Sequence, residues 1–401
     1  MGRIGGEPVR VERGYRATIV TLAAIAATGS VAIHMLVPAL PLIAADLAIG
    51  EAKAQQVVSV YLAGLGSGQL VAGPLIDRVG RRPVMIAGLL LFIAGALAGA
   101  LATTTGLLLA ARAVQAVGGA CGVVTARVMV GDLFGKERAK GAQATLMTIV
   151  LISPAVAPVI GGSVADLAGW RAIFALLAVA GAATLMAAWR GLPETAVLKS
   201  PNQRSGLIAS YAKLARNRQF VLTAATLGAA SSGLFMFLGA APFLLVHRFG
   251  LSSGEAGTAL LWVAAASIVG TRLVVPVERR SSALIIGTGS SALGAGIALV
   301  LALVGIEGVW PLIVPIMLLG LGAGLAGPVA FNAVGFAEPG LAATATSLAG
   351  ALQMLASGSA MSVLGLFAPI DPLRLAVALV ITTSTALCCA LARSRLASAR
   401  G

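Results

Sequence analysis

Long apolar runs follow one another along this chain, each closed by a short polar turn. A helix rises about 1.5 Å per residue, so about 20 apolar residues cross a hydrocarbon layer about 30 Å thick. On that measure the pattern predicts membrane helices at 17–44, 55–76, 83–104, 107–131, 141–165, 171–190, 219–246, 255–276, 282–304, 309–335, 340–367 and 373–392. The longest polar stretch, RGLPETAVLKSPNQRSGLIASYAKLARNRQ, follows the sixth run. It divides the chain into an N-terminal half over 1–190, a cytoplasmic linker over 191–218 and a C-terminal half over 219–401. The expected fold is an all-α integral membrane protein, with twelve transmembrane helices in two six-helix halves.

Composition leads to the same class. Of 401 residues, 58% are hydrophobic and 10% charged, with a mean hydropathy of +0.98, whereas soluble domains carry roughly 25% charged residues. Fifty glycines suit close helix packing in lipid, where small residues let backbones approach. Gly64/Gly68, Gly95/Gly99, Gly118/Gly122 and Gly320/Gly324 have the GxxxG spacing of such contacts. Cys121, Cys388 and Cys389 lie in apolar runs without metal-ligand spacing, and read as small buried residues. The apolar stretch after the basic N-terminus is too long for a signal peptide's core and reads as the first membrane helix.

The net charge of +14 follows from topology. Lys and Arg concentrate in the tails, in the central linker and in the loops after the second, fourth and eighth spans. Only Lys53, Arg171, Arg248 and Arg374 fall in the other loops, and Arg112, Arg127 and Arg272 fall inside spans. Positive loops stay in the cytoplasm, so both termini are expected there, in a multi-pass protein of the cytoplasmic (inner) membrane. A nucleic-acid partner, which needs a soluble basic face, becomes unnecessary.

Between the second and third spans stands GPLIDRVGRR, with Gly73, Asp77, Arg78, Gly80, Arg81 and Arg82 in a G-x-x-x-D-R-x-G-R-R frame. Arginines alone would satisfy the positive-inside rule; the spaced glycines and the aspartate would then be surplus. A short loop holding acid and bases at helix ends suits a latch whose pairing changes between conformations. The frame resembles the motif of the major facilitator superfamily, which implies a secondary transporter built of two six-helix halves. The resemblance also implies that Arg81 meets Asp132 at the end of the fourth span, and that Asp77 faces the start of the eleventh, near Gly340.

The fourth span carries Arg112 and Gln115 three residues apart, on one helical face. A charge at membrane depth is a functional hypothesis by default. The pair resembles the superfamily's R-x-x-Q-G pattern, with Ala116 in place of its glycine. In the fifth span, Pro154, Pro158, Gly161 and Gly162 lie in SPAVAPVIGG, which resembles the antiporter signature of drug-exporting members. Ala157 stands where that signature has glycine. VPALPLIAADL, DLFGKE, GWRAIF and LPET resemble the Bcr/CflA-type drug:proton antiporters and the chloramphenicol exporters. Those relatives carry an acid in the first helix, and here that position is His34.

All fourteen Asp and Glu residues can be assigned to tails, loops or helix ends. His34 is therefore the candidate proton acceptor at depth, because histidine titrates near neutrality. Tyr61, Phe235, Phe237, Trp262 and Asn332 are further candidates to line a cavity. The function expected is export of small organic molecules by alternating access, coupled to the proton gradient and needing no cofactor. Import or facilitated passage of a metabolite is the alternative, since fold does not fix direction. An integral-membrane enzyme finds no support: GxSxG, HExxH and Walker patterns are absent, and His34 and His247 are the only histidines. With Arg112 in the span and no deep carboxylate, neutral or anionic substrates are expected over cations. The chain is expected to work as a monomer in the bilayer.

Overall fold

The computed structural model describes residues 8–195, 207–338 and 341–398. The first half comprises α1 (Pro8–His34), α2 (Leu40–Asp46), α3 (Glu51–Val79), α4 (Arg81–Ala100), α5 (Thr105–Ala168) and α6 (Trp170–Gly191). A short helix, α7 (Leu207–Arg216), leads into α8 (Arg218–Phe243), α9 (Ser253–Glu278), α10 (Ala283–Val304), α11 (Val309–Gly335), α12 (Ala342–Gly365) and α13 (Pro372–Ser398). Among the described residues, eleven segments are long and apolar enough to cross a membrane, and Ile152–Ala168 is a shorter apolar one. Many large apolar side chains are exposed, among them Val179, Leu293 and Leu303. Such a surface suits lipid rather than water.

Three elements depart from the simple pattern. The first span is broken after His34 by a single 3₁₀ turn, Val37–Ala39, because Pro38 and Pro41 cannot donate to a continuing α-helix. The fourth and fifth spans lie within one helical element, α5, which folds back on itself. Its Gly122 and Gly119 meet Ile25 and Gly29, whereas its Ser153 and Gly161 meet Ser30 and Met35, so it passes α1 in both directions. The linker contains α7, pinned to the second half by Lys213 Nζ on Glu338 Oε1 at 2.7 Å. Asn217 caps α8 and donates to the Ala337 carbonyl at 2.7 Å.

Each half is organised round one central helix. In the first, α5 packs on α1, α3 and α4; in the second, α11 packs on α9 and α10. The halves meet along two seams, α3 with α12 and α5 with α9. All four GxxxG pairs stand at helix contacts. A Cβ on Gly64 or Gly68 would lie 2.8 or 2.7 Å from those of Ala116 or Ala120, and Gly95 lies against the Gln115 backbone. Only Cys121 of the three cysteines is buried; Cys388 is exposed and Cys389 partly so, because they sit on the outward side of α13.

Candidate functional site

A cavity of about 250 Å³ lies between the halves. The first half contributes His34 from α1 and Pro154 from α5; the rest of the wall comes from α8, α9, α11 and α12. Leu234, Phe235, Leu260, Phe331 and Met354 make it mainly apolar, and the polar groups are Thr226, Ser231, Ser267, Gln353 and His34. Among the described residues, no Asp, Glu, Lys or Arg lines it. Thr226 spends its hydroxyl on the Leu222 carbonyl at 2.8 Å, while Gln353 Nε2 donates to Ser231 Oγ. A few placed polar groups in an apolar wall are the usual make-up of a small-molecule site.

His34 is 6% exposed and its ring lies 6.2 Å from that of Phe235. Its Nδ1 stands 2.7 Å from the Ser30 carbonyl oxygen. A carbonyl can only accept, so Nδ1 carries the hydrogen, leaving Nε2 of the neutral ring as the acceptor. Ser153 donates to Ser30 Oγ at 2.6 Å, joining α5 to the same cluster.

Arg112 stands apart from this cavity, fully buried inside the first half. Its Nε donates to the Val57 carbonyl at 3.1 Å and its Nη1 to Gln115 Oε1 at 2.7 Å, with the guanidinium 3.8 Å above the Tyr61 ring. Arg112 Nη2, Gln115 Nε2 and the Tyr61 hydroxyl have no hydrogen-bond partner among the described residues, and no carboxylate pairs with the guanidinium there. The arginine does not snorkel. It is held by a carbonyl, an amide and a ring face, partners that carry no formal charge.

The GPLIDRVGRR segment ends α3 and begins α4, with the turn made at Gly80. Gly80 has φ +110°, where L side chains are strained, and a Cβ there would come within 2.8 Å of Glu194 Oε2. Arg81 Nε donates to Asp132 Oδ2 at 3.1 Å, and its Nη1 lies 3.5 Å from Asp77 Oδ1. Arg82 Nη2 donates to the Trp189 carbonyl at 2.7 Å. Arg78 is exposed, and Gly73 has open space where a side chain would stand. Asp77 makes its one ion pair with Arg81, and among the described residues nothing on α12 bonds to it; Gly340 lies outside those residues. Asp77, Arg81 and Asp132 lie together at one end of the molecule, the motif face.

Glu194, in LPET, completes this cluster. Its carboxylate accepts the main-chain N–H groups of Arg81 at 3.0 Å and Arg82 at 3.1 Å, the first turn of α4. Thr195 donates to Asp132 at 3.0 Å. On the opposite face, Asp46 of VPALPLIAADL accepts from Trp170 at 3.2 Å and from Arg171 at 2.7 Å, both in GWRAIF. Four of the short stretches singled out in the sequence thus pair with one another in space.

The α5 segment bearing Pro154, Pro158, Gly161 and Gly162 forms the seam with α9. Pro154 reaches the cavity, while Gly161 abuts the Met35 carbonyl and Gly162 that of Ser253, leaving no room for a side chain. Of the other candidates, Phe235 lines the cavity, Phe237 is fully buried in the core and Tyr61 lies beneath Arg112. Trp262 is 49% exposed against Trp310, and Asn332 is exposed; neither lines the cavity. Sequence reasoning missed Ser231, Ser267 and Gln353, whose signal was a polar group in an otherwise apolar span.

The model for the Major Facilitator Superfamily matches residues 20–362. The chain is 33% identical over 343 residues to Multidrug resistance protein D of Escherichia coli K12, covering 85% of this chain and 86% of that one. It is 32% identical to a Chloramphenicol resistance protein of Pseudomonas aeruginosa, over 79% of this chain and 76% of that one. Among solved structures, a peptide transporter POT in complex with sulfate matches with a TM-score of 0.76 at 17% identity, covering 95% of this chain and 94% of that one. A D-xylose-proton symporter matches with a TM-score of 0.76 at 14% identity, over 94% of this chain and 97% of that one.

Proposed function

The chain belongs to the Major Facilitator Superfamily, and from that premise we propose that it is a secondary transporter exporting small neutral or anionic organic molecules by alternating access. The names of the two curated relatives, a multidrug and a chloramphenicol resistance protein, favour export of drug-like compounds. The excess of Lys and Arg on the motif face makes that face cytoplasmic, with both termini on the cytoplasmic side of the membrane. Residues 1–190 and 219–401 act as the two moving halves of a single chain.

The observation that carries the substrate class is the cavity wall, which among the described residues offers hydroxyls, an amide and an imidazole but no carboxylate. A lipophilic cation held there would lack an opposing charge, and unpaired ions in low dielectric are strongly disfavoured. His34 is the one titratable group among the described residues of the wall and serves as the proton site.

Purified protein in vesicles under an imposed pH gradient tests this reading. An amphenicol or a lipophilic carboxylate should move uphill, and ethidium should move at the rate of empty vesicles. Gradient-driven ethidium transport with no movement of the neutral compound would overturn the substrate assignment.

A further inference from the structure

We propose that Asp166 and Glu51 form the latch that holds the opposite face shut, and that its release opens the cavity to that side. At the opposite-face end of the α5/α9 seam, Asp166 Oδ1 accepts from Ser253 N at 3.1 Å and Oδ2 from Gly254 N at 2.7 Å. These amides are the first two of α9, a 26-residue helix. Such N–H groups have no acceptor within the helix, and its dipole favours an anion there. At the same end of the α3/α12 seam, Glu51 Oε2 accepts from Ile370 N at 3.2 Å. In both seams a first-half carboxylate grips second-half backbone, so the contact exists only while the halves are closed together.

The helix does not need Asp166 for its own capping. Ser252 Oγ accepts from Glu255 N at 3.2 Å, and Glu255 Oε2 accepts from Ser252 N at 2.8 Å, a complete capping box. That box leaves the amides of Ser253 and Gly254 to the other half. Asp77 ends α3 on the motif face as Asp166 ends α5 on the opposite one, yet Asp77 pairs only with Arg81 of its own half among the described residues. Among the described residues, the structure therefore has the opposite-face latch engaged and no counterpart bond from Asp77 to the second half. Both latch acids are near water, so each is a modest, reversible contact.

The inference rests on the alternating-access reading, and its test needs no substrate, so wild-type transport separates failure of one from failure of the other. Spin labels at Leu101→Cys and Val304→Cys, exposed near the opposite-face ends of α4 and α10, report that face in a background lacking Cys121, Cys388 and Cys389. Asp166→Asn with Glu51→Gln should raise the ratio of long to short distances by about tenfold, equivalent to about 1.4 kcal/mol. Adding Asp77→Asn should reverse part of that shift, because it weakens closure of the other face. An unchanged distribution in monodisperse protein, or a shift that Asp77→Asn leaves untouched, overturns the latch. If the double variant does not purify, Asp166→Asn alone decides it, with about a threefold change expected.

Discussion

Glu194 accepts the main-chain N–H of Arg81 at 3.0 Å, across 113 residues of sequence. The acid that opens the linker thus caps the helix that begins with the motif arginines, and fixes where the Arg81 guanidinium meets Asp132. Glu194→Ala should lower folding stability by about 1 kcal/mol, the usual cost of a lost helix cap. Transport should fall further than stability predicts, and Glu194→Asp should restore part of it. A calibrated melt beside a transport assay at matched expression reads both; transport equal to wild type in the alanine variant would refute the positioning role.

Arg112 offers a different separation. Its charge is fully buried with carbonyl, amide and ring partners, so it was not placed there to strengthen the fold. Arg112→Met fills a similar volume without a buried charge and should melt no lower than wild type while losing transport. Arg112→Lys should rescue poorly, because a point charge cannot reach Val57 and Gln115 together while lying flat on Tyr61. Lysine working as well as arginine would remove the geometric argument.

How far the sequence could be read depends on how local each signal is. The spans were legible because apolar runs of membrane length have no soluble counterpart. The pairing of Arg81 with Asp132 was implied by the motif's resemblance to that of the superfamily and needed no knowledge of helix rotation. The cavity wall needed such knowledge. Phe237 and Trp262 sit on helices that do border the cavity, but one faces the core and the other faces Trp310. A period of 3.6 gives little guidance when a helix is apolar all round, so Ser231, Ser267 and Gln353 stayed hidden. Asp166 falls just past the fifth apolar run, but its partner amides lie 87 and 88 residues away and carry no sequence signature.

His34 couples two roles that substitution can part. With Nδ1 committed to the Ser30 carbonyl, Nε2 is the nitrogen left to take a proton. His34→Ala should keep downhill flux of a neutral substrate but lose its acceleration by an imposed pH gradient. His34→Asp should restore gradient dependence, since a carboxylate at this position also binds one proton per cycle. Flux in vesicles with and without the gradient checks both variants, and a fully gradient-responsive alanine variant would place the proton site elsewhere.

The linker helix gives a pH-dependent prediction outside the membrane. Glu338 is held below the usual carboxylate range, first by its hydrogen bond to Lys213 and then by Asn217. A carboxylate depressed in the folded state contributes its stabilisation above the unfolded value and loses it as pH falls through the folded one. Docking of α7 should therefore hold at neutral pH and loosen below about pH 4.5. Amide exchange in Leu207–Arg216 should rise there in wild type, and already be raised at pH 7 in Glu338→Gln.

Charge selectivity should be transferable with a single atom exchange. Gln353 lines the cavity and donates to Ser231, whose hydroxyl can reverse its role and donate instead. Gln353→Glu therefore keeps shape and hydrogen bonding while placing a carboxylate where the wall had none. The missing counter-charge is the whole argument against cations, so supplying it should admit them. The ratio of ethidium to amphenicol transport should rise by at least about tenfold, equivalent to about 1.4 kcal/mol. The gain should grow as external pH rises and the new acid ionises. If Gln353→Glu expresses well, moves the neutral compound and still rejects ethidium, then shape rather than charge excludes cations from this cavity.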